Sequence, residues 1–413
     1  MPVASADGRY PPGMRFAPQD VAFVADPYPV YEELRASAPV TYDAATDHWL
    51  VTRHRDVDAL LRDRRFGRTY LHAASHEEMG RAAPPARLAP FWRLINSGIL
   101  DMEGSDHRRV RRLVSKAFTP TYVESLRPRV ERIVRDLAGA VDGAGEIDLL
   151  QTIAEPLPVT VIAEMLGVPE ADRQLLRPWS ADICRMYELN PSSEAEAAAI
   201  RASVEFSEYL RALARERAQH PGEDLISELV HVVDEGDRLT EDELVGTCVL
   251  LLNAGHEATV NATLIGWWTL FRHPDQLLRL RADHGLLPTA VEELLRFDTP
   301  LQLFERWVLE PFELHGTPIP RGAELGLVFG SANRDPQVFD QPDLLNLGRT
   351  PNPHLSFGAG IHFCLGAPLG RLELQTSFRT LLQRFPRMEP VEEPRWKPSY
   401  IVRGLDGLRV RLG

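Results

Sequence analysis

One long helix constrains this chain more than any other feature. Thr240, with Glu243 three residues later, forms a capping box, apolar residues recur from there at helical spacing, and Pro274 bars continuation beyond about residue 272. At about 1.5 Å per residue such a helix is about 50 Å long, enough to cross the whole molecule. Its centre, "NAGHEATVNA", is unusual. Ala254, Gly255, Ala258 and Ala262 make a stripe of minimal side chains, and Asn253, Glu257 and Asn261 make a polar one at i, i+4 spacing. A glycine inside a helix costs about 0.5–1 kcal/mol relative to alanine, so something flat or closely packed has to answer it. Tight packing against another helix would do so, and so would a flat ligand.

The remaining patterning is mostly helical from about residue 105 to 300. "TPTYVESLRPRVERIVRDLAGAV" (119–141) carries Val123, Leu126, Val130, Ile133, Leu137 and Val141 on one broad face, and "SSEAEAAAIRASVEFSEYLRALARER" repeats the habit. Short β-like runs occur in "VTYDAATDHWLVT" and after residue 305. The expected fold class is mainly α with small β-sheets. A net charge of −13 argues against a protein that coats nucleic acid. The most apolar stretch, 244–271, is interrupted by Asn253, His256, Glu257 and Asn261, and the N-terminus has no apolar core, so neither a membrane span nor a signal peptide is expected. Cys184, Cys248 and Cys364 have no short spacing between them, which excludes a disulfide framework and a Cys-x-x-Cys site and fits a reducing cytoplasm.

Cys364 differs from the other two in its surroundings. It lies in "LSFGAGIHFCLG" (355–366), where Gly358, Gly360 and Gly366 allow backbone conformations closed to other residues and let a bulky partner approach. "LGAPLGRLELQTSFRTLLQRF" follows as a helix, which puts the sulfur at a helix N-terminus, where N–H groups and the dipole favour a thiolate. Such a sulfur suits an iron atom as an axial ligand. Cys184 and Cys248 read as inert core residues.

"FGAGIHFCLG" resembles the haem-ligand loop of the cytochrome P450 family, a Phe-Gly-x-Gly-x-His/Arg-x-Cys-x-Gly signature with six positions agreeing within ten residues. The resemblance runs from about residue 15 to the C-terminus and implies that residues 1–413 form a single domain of that fold. That fold is a triangular prism of helices around buried haem with a minor β region, here with residues 1–15 as an irregular tail and no fused reductase or ferredoxin domain. It implies haem b as cofactor and Cys364 as the iron ligand, with Phe357, Gly358 and Gly366 around it and Ala254 over the opposite face. His362, His107 and Arg111 in "DHRRVRRLVSKAFTP", and Arg306 in "FERWV", would hold the propionates. Glu293 and Arg296 in "EELLR", with Arg349 in "PDLLNLGR", would form a structural ion cluster. Glu-x-x-Arg alone means little, since Glu124/Arg127, Glu170/Arg173 and Glu208/Arg211 fit as surface pairs; its place between the central helix and the cysteine loop singles out Glu293.

What the resemblance implies about chemistry is insertion of one oxygen atom from dioxygen into an apolar or natural-product-like small molecule. The catalytic stretch would be Gly255, Glu257, Ala258 and Thr259. The family pattern is Ala-Gly-x-Asp/Glu-Thr, and this chain has Ala258 where the hydroxyl is expected; Thr259 is turned about 100° from it. The proton relay is the part this departure affects. Substrate contacts would come from Ile95 and Asn96, from Leu251 and Ala254, from the segment at Met186 and Tyr187, from Thr299, Leu301 and Leu303, and from Val402. With no Rossmann glycine fingerprint and no spare cysteines, electrons are expected from a separate acidic ferredoxin and its reductase, steered by Arg108, Arg109, Arg112 and Lys116. A peroxide-driven haem oxygenase and a non-enzymatic thiolate-haem sensor are the alternatives.

Overall fold

In the computed structural model, which describes residues 15–413, the capping box forms as the sequence requires. Thr240 Oγ1 accepts from the Glu243 N–H at 3.2 Å, and Glu243 Oε2 accepts from the Thr240 N–H at 2.8 Å. The helix runs Glu241–Arg272 and stops at His273, where Pro274 opens the next helix, Pro274–Ala282. Of the tail expected over 1–15, all but Arg15 lies outside the described residues.

The two halves of this helix belong to different cores. Leu244, Val245, Val249 and Leu252 pack with Val161, Ile162 and Phe206, whereas Val260, Leu264, Trp267 and Leu270 pack with Val291, Phe378 and Leu381. The helix after the cysteine, Ala367–Arg384, is laced into both as well, through Leu369 and Leu372 on one side and Leu374, Phe378 and Leu381 on the other. Each such leucine, fully buried, contributes about 1.5–3 kcal/mol. The two helices come close where a Cβ on Gly266 would stand 2.8 Å from the Phe378 ring. The sulfur-bearing loop is thereby fixed relative to the middle of the central helix.

The mainly α architecture with small sheets is as expected. A five-stranded sheet has the order Val40–Asp43, His48–Val51, Glu324–Val328, Leu303–Val308, Phe66–Gly67. A three-stranded sheet joins Glu146–Asp148, Arg409–Arg411 and Glu389–Pro390, and Phe312–Leu314 pairs with Thr317–Ile319. One helical run differs from the sequence reading: 119–141 divides at Leu126 into Pro120–Ser125 and Arg127–Ala140. Pro128 has no N–H to continue the first helix and is suited to the first turn of the second.

A buried ion cluster ties the helix Leu287–Phe297 to the chain that leads into the cysteine loop. Glu293 accepts from Arg296 Nε and Nη2 at 2.7 and 2.8 Å, from Arg349 Nε at 3.0 and 3.1 Å, from the Asn346 N–H at 2.9 Å and from Asn352 Nδ2 at 3.2 Å. Arg296 Nη1 also donates to the Asn333 carbonyl, and Asn333 in turn accepts from the Leu355 N–H at 2.7 Å and donates to Ser356 Oγ at 3.0 Å. Leu355 and Ser356 are the first two residues of the cysteine loop.

Candidate functional site

The loop conformation follows from its glycines. Gly358 and Gly360 have φ of +68° and +70°, and a Cβ on Gly360 would collide with the Leu61 carbonyl. The Cys364 N–H donates to the Phe357 carbonyl at 2.9 Å, which closes the loop, and the N–H groups of Gly366 and Ala367 point at the sulfur. Phe357 lies under the Arg371 guanidinium, 4.4 Å from its ring centroid, and Arg371 is held by Glu292 at 2.7 Å. Burial dominates the ionisation of Cys364 and pushes its thiol up, while Gly366, Arg111, Ala367 and Arg371 pull it down. The helix N-terminus thus favours the thiolate, as expected, but burial outweighs it; a cation at the sulfur would tip the balance.

At the foot of this loop lies a buried polar group. The rings of His107, on the helix Gly104–Ala117, and His362 are 4.5 Å apart at their centroids. Both nitrogens of His107 are buried without a hydrogen-bond partner, and burial lowers its pKa to about 4. His362 Nε2 donates to Glu103 Oε1 at 2.9 Å. Arg306 is buried and acts electrostatically on His362 and Glu103; its Nη1 donates to the Glu305 carbonyl, its Nη2 has no partner, and burial lowers its pKa to about 9. Unpaired buried polar groups of this kind cost about 1–3 kcal/mol each, and a carboxylate would satisfy them. His107, His362 and Arg306 thus fit the propionates of a haem. Arg111 does not join them: it turns to the loop and donates to the Phe363 carbonyl at 2.8 Å. Glu103 was not anticipated, although it sits one turn before His107 at i−4, a spacing the sequence displays.

The centre of the long helix has one open face. Ala254 is exposed and Leu251, Glu257 and Ala258 are partly so, while Leu252, Asn253 and His256 are buried. A flat group fits along 251, 254 and 258. Gly255, also partly exposed, packs on the helix Pro156–Leu166: a Cβ there would stand 2.7 Å from Ile162 Cδ1, so helix packing accounts for the missing side chain without a ligand. Ala262 is likewise in the core. Thr259 is buried against the cysteine helix, its hydroxyl 3.9 Å from where a Cβ on Gly370 would be. His256 Nδ1 is 3.8 Å from Glu257 Oε1, and Glu257 acts electrostatically on Cys184.

Beside the open face is a small cavity of about 10 Å³, room for about one water, lined by Ile95, Asp101, Tyr187, Val249 and Leu250 among others. Of the residues expected to contact substrate, Ile95 and Tyr187 are therefore at the cavity. Asn96 is exposed instead. Leu301 and Val402 are bridged to each other, and Thr299 is fully buried with its hydroxyl unpaired. Leu303 is packed among Tyr31, Leu50 and Tyr400, because strand alternation puts Phe304 and Arg306 on the opposite face, and it is removed from the pocket. Of the four residues of the basic patch, Arg108 is exposed and the other three have acidic partners. Arg109 is paired with Glu243, and Arg112 and Lys116 with Asp234, so these charges are neutralised within the chain.

Comparison with known proteins agrees with this geometry. A family model described as Cytochrome P450 matches residues 192–401. Cytochrome P450 monooxygenase PikC of Streptomyces venezuelae is 41% identical over 399 residues, 94% of this chain and 92% of PikC. The polyketide biosynthesis cytochrome P450 PksS of Bacillus subtilis is 36% identical over 97% of this chain and 99% of its own. Among solved structures, P450BioI in complex with an acyl carrier protein ligated to hexadec-9Z-enoic acid superposes with a TM-score of 0.87 at 38% identity, covering 94% of this chain and 99% of that one.

Proposed function

The chain belongs to the cytochrome P450 family and is an oxygenase, and from that premise we propose a haem b monooxygenase acting on an apolar, natural-product-like small molecule. The observation that carries the reading is the juxtaposition of an N–H-lined Cys364, the buried, under-paired His107 and Arg306, and an exposed Ala254 in the middle of a core helix. Haem held there by Cys364, with His107, His362 and Arg306 at its carboxylates, would supply dioxygen activation.

The protein's own part is position and protons. Gly366 and Ala367 N–H groups and Arg111, through the Phe363 carbonyl, hold the sulfur in place, and His107, His362 and Arg306 bind the two carboxylates. Ala254 and Ala258 leave room for dioxygen and substrate, with Ile95 and Tyr187 at the adjoining cavity. The overall conversion consumes two electrons and two protons and releases water along with the hydroxylated product. Glu257 can pass protons inward, but Ala258 offers no hydroxyl to receive them and Thr259 is turned toward the cysteine helix. Ordered water or a hydroxyl on the substrate fills that position. Electrons come from a separate ferredoxin and reductase; the exposed Ile361 and Phe363 beside Cys364, rather than the internally paired Arg112 and Lys116, form the docking face. Among the described residues no helix is long and apolar enough to cross a membrane, in keeping with a cytoplasmic enzyme.

The deciding experiment is the spectrum of the reduced, carbon-monoxide-treated protein. The far-red-displaced band of sulfur-ligated haem is expected in the parent and absent in Cys364→Ala; a parent without the band, or a variant that keeps it, refutes the assignment. Ala258 also favours a second reading, peroxide-driven turnover, which product formation with peroxide alone, matching that with ferredoxin, would support.

A further inference from the structure

On the five-stranded sheet, whose strand Leu303–Val308 also carries Arg306, three further side chains converge that the haem site does not use. His48 and Glu324 are register partners on adjacent parallel strands, and Glu305 lies one strand further on the antiparallel side, where its neighbour Trp307 pairs with Glu324. His48 Nε2 is 3.8 Å from Glu305 Oε1 and 3.8 Å from Glu324 Oε2, and the three ligand atoms lie within 4.8 Å of one another. This is the only group of three or more His, Cys, Asp or Glu side chains so arranged among the described residues.

The histidine is oriented as a ligand. Its Nδ1 lies 2.5 Å from the Thr46 carbonyl oxygen, which can only accept, so Nδ1 carries the hydrogen and Nε2 presents a lone pair. A carbonyl behind a histidine in this way is how metal-binding imidazoles are held. His48 is 93% buried by its 7% exposure, and Nε2 has no hydrogen-bond partner. Charge points the same way. Arg68 is shared between Glu305 at 3.2 Å and Asp101 at 3.3 Å, and Arg81 is committed to Asp47 at 2.6 Å. No arginine or lysine stands within ion-pair distance of Glu324 among the described residues, so the group holds more carboxylate than cation.

We propose that His48, Glu305 and Glu324 form a binding site for a divalent first-row metal ion of the zinc class, distinct from the haem site. One nitrogen and two carboxylate oxygens are a borderline donor set that suits such an ion, with water in the remaining positions. Metal–ligand distances of about 2.0–2.2 Å bring tetrahedral ligands to about 3.3 Å from each other, so His48 closes on each glutamate by about 0.5 Å and the two carboxylates close on each other by at most about 1.5 Å, within reach of glutamate rotamer changes. The strands carrying them are held in register by the sheet, which gives a rigid support.

Haem-loaded protein, stripped with chelator and titrated with zinc ion, tests the site by calorimetry and by metal analysis after gel filtration. One equivalent of zinc should bind and raise the melting temperature by about 3 °C at ~100-fold excess over Kd. Binding should weaken at least ~30-fold in His48→Ala and in the isosteric Glu324→Gln, and stay unchanged in His315→Ala, which removes an exposed histidine paired with Asp56. Parent-like haem absorption and circular dichroism certify each variant as folded, and Glu324→Gln serves should His48→Ala fail that check. Absence of stoichiometric zinc in the parent, or parent affinity in the folded His48 or Glu324 variants, overturns the site.

Discussion

Replacing Glu293 by glutamine tests how the cysteine loop is held. The carboxylate accepts six hydrogen bonds, four of them from Arg296 and Arg349, and both Glu293 and Arg296 are fully buried. Glutamine keeps the shape but offers one acceptor oxygen and turns an NH2 toward guanidinium N–H groups, leaving buried positive charge uncompensated. Breaking a buried pair in this way costs about 3–5 kcal/mol. The entropy of unfolding, about 2 cal/mol/K per residue, comes to about 0.9 kcal/mol per kelvin for 413 residues. Glu293→Gln should therefore lower the melting temperature by about 3–6 °C, followed at one scan rate by far-ultraviolet circular dichroism and by the haem absorption together. The haem signal should fall first, because Arg296, Asn333, Leu355 and Ser356 lead from the cluster to the loop. A second substitution, Arg349→Met, should cost less on the Glu293→Gln background than alone. A melting temperature within about 1 °C of the parent, with haem retained equally well, would refute the reasoning.

Further outcomes follow from the same geometry. Gly255→Ala should destabilise by about 1–3 kcal/mol through contact with Ile162, offset in part by about 0.5–1 kcal/mol of helix propensity, and Ile162→Val should restore it; stability unchanged by Gly255→Ala would return the glycine to the haem face. Burial holds the pKa of His256 at about 4 against 6.5. Above about pH 6.5 it contributes nothing to stability, and as pH falls to about 4 the unfolded chain takes up a proton the folded one does not, removing about 3 kcal/mol; chemical denaturation of His256→Gln should show a correspondingly shallower acid loss. Ala258→Thr should raise product formed per NADH most for substrates lacking a hydroxyl, and equal coupling across substrates with and without hydroxyls would dismiss substrate-assisted proton delivery.

The sequence exposed what local chemistry dictates. Thr240, Glu243 and Pro274 bound the central helix correctly because capping and the missing proline N–H act within a few residues. The glycines around Cys364 announced a left-handed loop for the same reason. Contacts made across the fold were harder to read. Nothing in the order of residues says that Gly255 meets Ile162 rather than a ligand, or that Arg112 and Lys116 fold onto Asp234 and lose their outward charge. Family resemblance alone points Leu303 at the pocket, but a strand sends neighbours to opposite faces, and the register that decides between Leu303 and Phe304 is set by pairing with Glu324–Val328. His48, Glu305 and Glu324 are hundreds of residues apart in part and meet only through that same register.

Because the central helix and the cysteine helix are each anchored at both ends in separate cores, the gap between sulfur and the small-residue face behaves as a fixed gauge. The segments at the cavity, around Ile95 and Tyr187, pack on the first of these cores but carry neither the sulfur nor the small residues. Which molecule is admitted can therefore be rewritten by exchanging residues of those segments, while the spacing on which the oxidation depends is inherited untouched.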